Sequence, residues 1–285
     1  MNIKKSIKLA CVLAIFLASC GGKPAENPAV ENTPASSQEA QTQAAGGPAV
    51  AVAPGTPTVE PVDDNLFSFG AMGFSLRFDF PQGYSQSAIS TIVAKSLEAA
   101  GPGEPIYPEH ARILFAEKAS DSVSTTAPGI RIFKASEVNE ADPKAFESLN
   151  AVLNGQLDQR TDFPHFAGAG SLIDAQVTTL PFKSGNGYRY LLLKKFDASS
   201  LSDTSMTYLY QGLTTDGKYI VTMIAQVDAP FLADLATGQP FASNEEALTY
   251  KNLVNDRLNT ASPDQFSPSL TLVDKVIASI IITNK

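Results

Sequence analysis

The chain has 285 residues, 44% of them hydrophobic, with 21 basic against 29 acidic residues and a net charge of −8. Such a balance repels phosphate backbones and anionic head groups, which argues against nucleic acid as a partner and against electrostatic adhesion to a membrane. The 2 cysteines, Cys11 and Cys20, both sit near the N-terminus, so the remainder holds no disulfide, thiol nucleophile or cysteine-based zinc spacing.

Lys4, Lys5 and Lys8 precede an apolar run over residues 9–18, which ends in small residues before a cysteine. A spanning helix needs roughly 20 apolar residues, whereas about 7–15 suit the hydrophobic region of an export signal. The tetrapeptide Leu17-Ala18-Ser19-Cys20 resembles the lipobox of bacterial lipoproteins. The resemblance implies cleavage between Ser19 and Cys20, a lipid on the Cys20 thiol and acylation of the new N-terminus. Two acyl chains already anchor stably, at about 0.8 kcal/mol per buried methylene, so the mature chain is expected to stay on a membrane through Cys20. By the family's sorting rule, Gly21 and Gly22 in place of an Asp imply the outer membrane, if the organism is Gram-negative. Losing the three lysines with residues 1–19 leaves 18 basic against 29 acidic residues, net −11.

Residues 20–62 are rich in Pro, Ala, Gln, Thr and Gly and contain no aromatic residue. Such a segment buries too little surface to offset its ordering entropy. It is expected to be a disordered tether with a reach of roughly 35–40 Å. A single globular, monomeric domain is expected over residues 63–285.

Within that domain Phe74, Leu76, Phe78 and Phe80 alternate with polar residues, which is strand periodicity. Ile89, Ile92, Val93 and Leu97 lie near helical spacing and suggest a short helix over residues 87–100. Residues 113–117 and 129–134 read as strands. Asp142-Pro143 marks a helix start, because Asp caps well and Pro is tolerated at the first position. Phe146, Leu149, Val152, Leu153 and Leu157 give that helix one apolar face. Residues 162–170 form an irregular loop, and residues 175–182 a strand.

Gly185-Asn186-Gly187 is expected to turn the chain. Beyond it Tyr188, Tyr190, Leu192 and Phe196 face one way and Leu191 and Leu193 the other, as in a strand covered on both sides. Residues 205–213 and 218–227 form a hairpin through Asp216-Gly217, a signal for a type I′ turn. Ser243 or Asn244 caps a helix to about Leu258 with Leu248, Leu253 and Leu258 inward. Ser267-Pro268 opens a last helix that buries Leu270, Val273, Val276, Ile277 and Ile280.

The fold class is therefore α+β, a mainly antiparallel sheet flanked by helices. The arrangement resembles the PsbP-like α/β/α sandwich. The stretches Pro108-Glu109-His110, Gly185-Asn186-Gly187-Tyr188-Arg189-Tyr190 and residues 208–219 are similar to an uncharacterised family of secreted bacterial proteins. That likeness extends over much of residues 105–282 and implies no activity.

No Gly-x-Ser-x-Gly, His-Glu-x-x-His or calcium loop occurs, so neither cofactor nor metal is expected. The acids between Asp197 and Asp203 are too few for a calcium loop. Gly168-Ala169-Gly170 lacks the third glycine of a dinucleotide loop. Glu140 and Asp142 are accounted for by helix capping. The paired tyrosines 188/190 and 208/210 either line a groove or pack across strands. The 2 histidines, His110 and His165, each follow a proline closely, as loop histidines with one hydrogen bond do. A triad built from either with distant carboxylates, making an envelope hydrolase, is the rival reading. The leading expectation is a non-catalytic binding or accessory module for an envelope protein or wall component. Its candidate contact loop carries Phe163, His165 and Phe166, since binding residues concentrate on loops. The alternative there is that the phenylalanines plug the end of the sheet.

Overall fold

The structure is a computed structural model that describes residues 66–81, 88–95, 107–115, 127–166, 168 and 170–285, together with the backbone of residues 58–59. The lipobox, with Ser19 and Cys20, and the expected tether apart from residues 58–59 lie outside the described residues. The elements are β1 (Thr58–Val59), β2 (Leu66–Ala71), β3 (Phe74–Asp79), β4 (Ile89–Val93), β5 (His110–Leu114) and β6 (Gly129–Lys134), then α1 (Ala135–Ala141) and α2 (Pro143–Leu153). They continue as β7 (Gly170–Thr179), β8 (Gly185–Lys195), β9 (Ser205–Thr214), β10 (Tyr219–Asp228), α3 (Asn244–Thr260), α4 (Leu270–Ser279) and β11 (Ile281–Asn284).

The fold is α+β. One antiparallel sheet has the strand order β1-β4-β5-β6-β10-β9-β8-β7, and a second has β11-β3-β2. Side chains alternate between the two faces of a strand, and in the large sheet both faces are covered. Tyr188, Tyr190 and Leu192 of β8, Leu209 of β9 and Ile220 and Ile224 of β10 pack with Val138 of α1 and Leu149 and Val152 of α2. Leu191, Tyr208, Tyr210, Val221 and Met223 point the other way, into a core closed by Val254 and Leu258 of α3, Val273, Val276 and Ile277 of α4, and Phe74, Leu76 and Phe78 of the small sheet. Coverage on both sides is why β8 is apolar in both registers.

The helix starts agree with their caps. The Asp142 side chain accepts the Ala145 N–H at 3.1 Å, with Pro143 opening α2. The Ser243 hydroxyl accepts the Glu246 N–H at 3.1 Å at the start of α3.

Several expectations are corrected. Where it is described, the helix expected over residues 87–100 is strand β4, paired with both β1 and β5. Ile89, Thr91, Ile92 and Val93 are β-branched, and partners on both sides decide a short run whose spacing fits either period. The pairing of β1 also carries the sheet back into residues assigned to the tether. Gly185-Asn186-Gly187 does not turn the chain: the glycines open β8, where a Cβ on Gly187 would collide with the Tyr210 hydroxyl and the Gln211 carbonyl. Such glycines mark close backbone approach within a strand.

The hairpin at Asp216-Gly217 spans residues 215–218, and only Gly217 has positive φ, at 72°. A type I′ turn needs two such residues. Met72 and Gly73, with φ of 52° and 84° between β2 and β3, meet that requirement instead. Phe196, Leu248 and Leu253, expected inward, are exposed. Leu157 is exposed too, past the end of α2.

Candidate functional site

Two of the exposed apolar residues, Phe196 and Leu248, meet where β8 ends. Phe196 is the first residue beyond that strand and is 78% exposed. The following loop folds back under defined restraints. Lys195 Nζ donates to the Ser200 carbonyl at 2.6 Å, and the Ser200 hydroxyl lies 2.9 Å from that of Thr237 and accepts the Gln239 N–H at 2.9 Å. The Phe241 N–H donates to the Ala198 carbonyl at 2.9 Å, and the Phe241 ring leans on Tyr250 with centroids 5.2 Å apart. Phe196, Phe241 and Leu248, the last 58% exposed on α3, thereby line an open cleft of about 430 Å³ with Gly170, Ser171 and Leu172 of β7. Lys195, Asp197 and Lys251 supply its polar rim.

Beside the cleft, α3 closes the sheet's edge. Asn255 and Asn259 accept the N–H groups of Asp174 and Gln176 at 2.8 and 2.7 Å. Asn255 Nδ2 donates to the Leu172 carbonyl at 3.1 Å, and Gln176 Nε2 donates to the carbonyls of Leu258 and Ala261 at 2.6 and 3.1 Å. An open strand edge invites another strand, and here helix side chains occupy its groups. Added strand pairing along this stretch of β7 is therefore blocked.

The predicted contact loop is fastened from several directions. Phe163 is 3% exposed, its ring 5.0 Å from that of Phe133 and 5.8 Å from that of Tyr107. Phe166 is half-buried against the same cluster. Asp162 accepts the Phe166 N–H at 2.7 Å and holds Lys194 Nζ at 2.7 and 2.8 Å. His165 Nε2 lies 2.6 Å from Asp142 Oδ2, and the His165 backbone N–H donates to the Tyr107 hydroxyl at 2.8 Å. Phe163 therefore belongs to the core, as the plug reading requires, whereas His165 and Phe166 are both half-buried.

His110 is buried, its Nδ1 3.0 Å from the Pro108 carbonyl and its ring stacked on Phe133 at 4.5 Å. Burial, with Arg131 and Arg112 nearby, pushes its pKa down to about 4. Both histidines thus border one aromatic cluster. Among the described residues neither is hydrogen-bonded to a serine or threonine hydroxyl. The tyrosines line no groove. Tyr188 and Tyr190 stack at 6.0 Å on one face, while Tyr208 and Tyr210 on the other donate to Asp274 at 2.7 Å and to the Leu180 carbonyl at 3.2 Å. Among the described residues no group of three or more His, Cys, Asp or Glu could hold a metal ion, and no helix is long and apolar enough to cross a membrane.

Sequence periodicity missed the cleft because it assigned Phe196 and Leu248 to buried stripes. The usable signal was the polarity around them: Lys194, Lys195 and Asp197 bracket Phe196, and Glu245, Glu246 and Lys251 surround Leu248. No protein-family model matches the chain, and no curated protein matches it.

Proposed function

We propose that this chain is a lipid-anchored, non-catalytic binding module of the cell envelope that holds a protein partner in the cleft formed by Phe196, Phe241 and Leu248. The observation that carries this reading is Phe196, left 78% exposed on a loop held by hydrogen bonds, beside Leu248 of α3, which is 58% exposed. Burying one such side chain is worth about 1.5–3 kcal/mol, and contiguous exposed apolar surface marks interaction sites. Lys251 at the rim suits a partner that presents an apolar side chain next to an acidic one. The lipobox supplies the anchor.

Two experiments test the reading. With a photo-crosslinking residue at position 248 in the full chain in cells, a discrete protein adduct is expected. Phe196→Ser should remove that adduct and leave the unfolding midpoint within about 2 °C, since exposed positions contribute little to stability. An adduct pattern unchanged by Phe196→Ser would sink the cleft. Separately, Cys20→Ala should accumulate uncleaved precursor and abolish fatty-acid labelling. Labelling that persists in this variant refutes the anchor.

A further inference from the structure

The strand register sets Arg112 of β5 directly opposite Arg131 of β6. It continues the same line through Thr222 of β10, Gln211 of β9 and Tyr188 of β8. Directly opposed residues share a face, so a polar row crosses the face that otherwise buries Phe133, Tyr190, Leu209 and Ile220. Arg131 and Thr222 are 0% exposed and Arg112 is 9% exposed.

Part of this row is satisfied. Gln211 donates to the Thr161 carbonyl at 2.8 Å, and Arg131 Nη2 donates to the Ala127 carbonyl at 2.7 Å. The rest is not: Arg112 Nε, Arg131 Nε and Nη1, the Thr222 hydroxyl and the Tyr188 hydroxyl are buried without a hydrogen-bond partner. Among the described residues no carboxylate pairs with either arginine. Burial and the neighbouring Arg112 lower Arg131 only to about 10, so it stays charged at neutral pH. His110, on the same strand as Arg112, is neutral there and offers no compensating charge.

Like charges set directly opposite each other repel, and buried charges in folded proteins are paired. Guanidinium groups meet oxyanions through parallel N–H bonds, and an oxyanion would use the donors that the row leaves open. We propose that Arg112 and Arg131 form an internal site for the oxyanion head of a small ligand, a carboxylate or a phosphate, with the Thr222 hydroxyl as a further donor. The site lies on a different part of the sheet from the Phe196 cleft and does not depend on it.

The test uses the full-length chain in detergent at pH 7 and constant ionic strength, with chloride replaced stepwise by inorganic phosphate or by acetate. A ligand that binds only the folded state raises its unfolding midpoint with concentration. A rise in phosphate, in acetate or in both is expected, and the stronger response identifies the head group. Arg112→Met and Arg131→Met should each keep cooperative unfolding, with a midpoint in chloride no lower than that of the parent, because an unpaired buried charge is removed. Each should weaken the anion response at least tenfold. Thr222→Val, which removes an unpartnered hydroxyl, should weaken it less, and Arg257→Met, at a surface ion pair with Asp234, should not change it. A parent midpoint that is the same in all three salts overturns the site. So does a response that survives both Arg variants, or a large loss of midpoint in chloride in both, which would mean that the chain supplies its own anion.

Discussion

Phe163→Ala is expected to cost about 3–5 kcal/mol of folding stability in denaturant titration, as truncation of a buried aromatic does. Phe166→Ala should cost markedly less. The two residues stand in one loop with the same side chain, and their surroundings separate them. Phe163 is buried between Phe133 of β6 and Tyr107. Phe166 is half-buried and its removal opens a smaller cavity. The cavity term scales with the volume left unfilled, so the ratio of the two costs measures the plug. Equal losses, or a Phe163→Ala cost under about 1 kcal/mol, would return the loop to consideration as a contact surface.

Acidification from pH 6.5 to 4 is expected to remove on the order of 3 kcal/mol of stability through His110 alone, at about 1.36 kcal/mol per pKa unit. The sign follows from where the protons sit. Burial, chiefly, lowers the folded-state pKa of His110 from 6.5 to about 4. Between these values the unfolded chain binds a proton that the folded chain refuses, so stability is greatest above pH 6.5 and falls with pH until the folded state also protonates. Asp216 acts in a lower window. Hydrogen bonds from Thr214 and Asn284 hold it down to about 2, and its contribution is lost only as pH drops from its ordinary 3.8 toward that value. His110→Gln should therefore flatten the profile between pH 6.5 and 4 and leave the steeper acid limb below. Parallel profiles for parent and variant would show that the histidine is not buried neutral. A ligand anion between Arg112 and Arg131 should reduce the acid sensitivity of the parent, because it offsets the positive charges that oppose protonation.

How much of this was legible beforehand depended on the range of the physics involved. Capping and one-sided burial are local. Asp142-Pro143 announced α2, Ser243 announced α3, the Leu270, Val273, Val276, Ile277 stripe announced α4, and the two-faced apolar run of β8 announced a covered strand. Each of these places its partners within a few residues, or imprints a period of 3.6 or 2 on the apolar positions. The α+β class followed from that alternation of periods.

Where two local readings were equally good, distant partners chose between them. Residues 89–93 became a strand because β1 and β5 flank them. Gly185 and Gly187 became strand residues because the Leu213 carbonyl and the Phe182 ring at the first, and the Tyr210 hydroxyl and the Gln211 carbonyl at the second, pass too close for a side chain. The sites lay further still from local pattern. Phe196 and Leu248 meet only because the loop after β8 is tied to residues 237–241 in front of α3. Arg112 and Arg131 face one another only in this register, since a shift of one residue would send one of them to the opposite face of the sheet. Periodicity is written along the chain. Juxtaposition is decided by pairing and packing between segments remote in sequence.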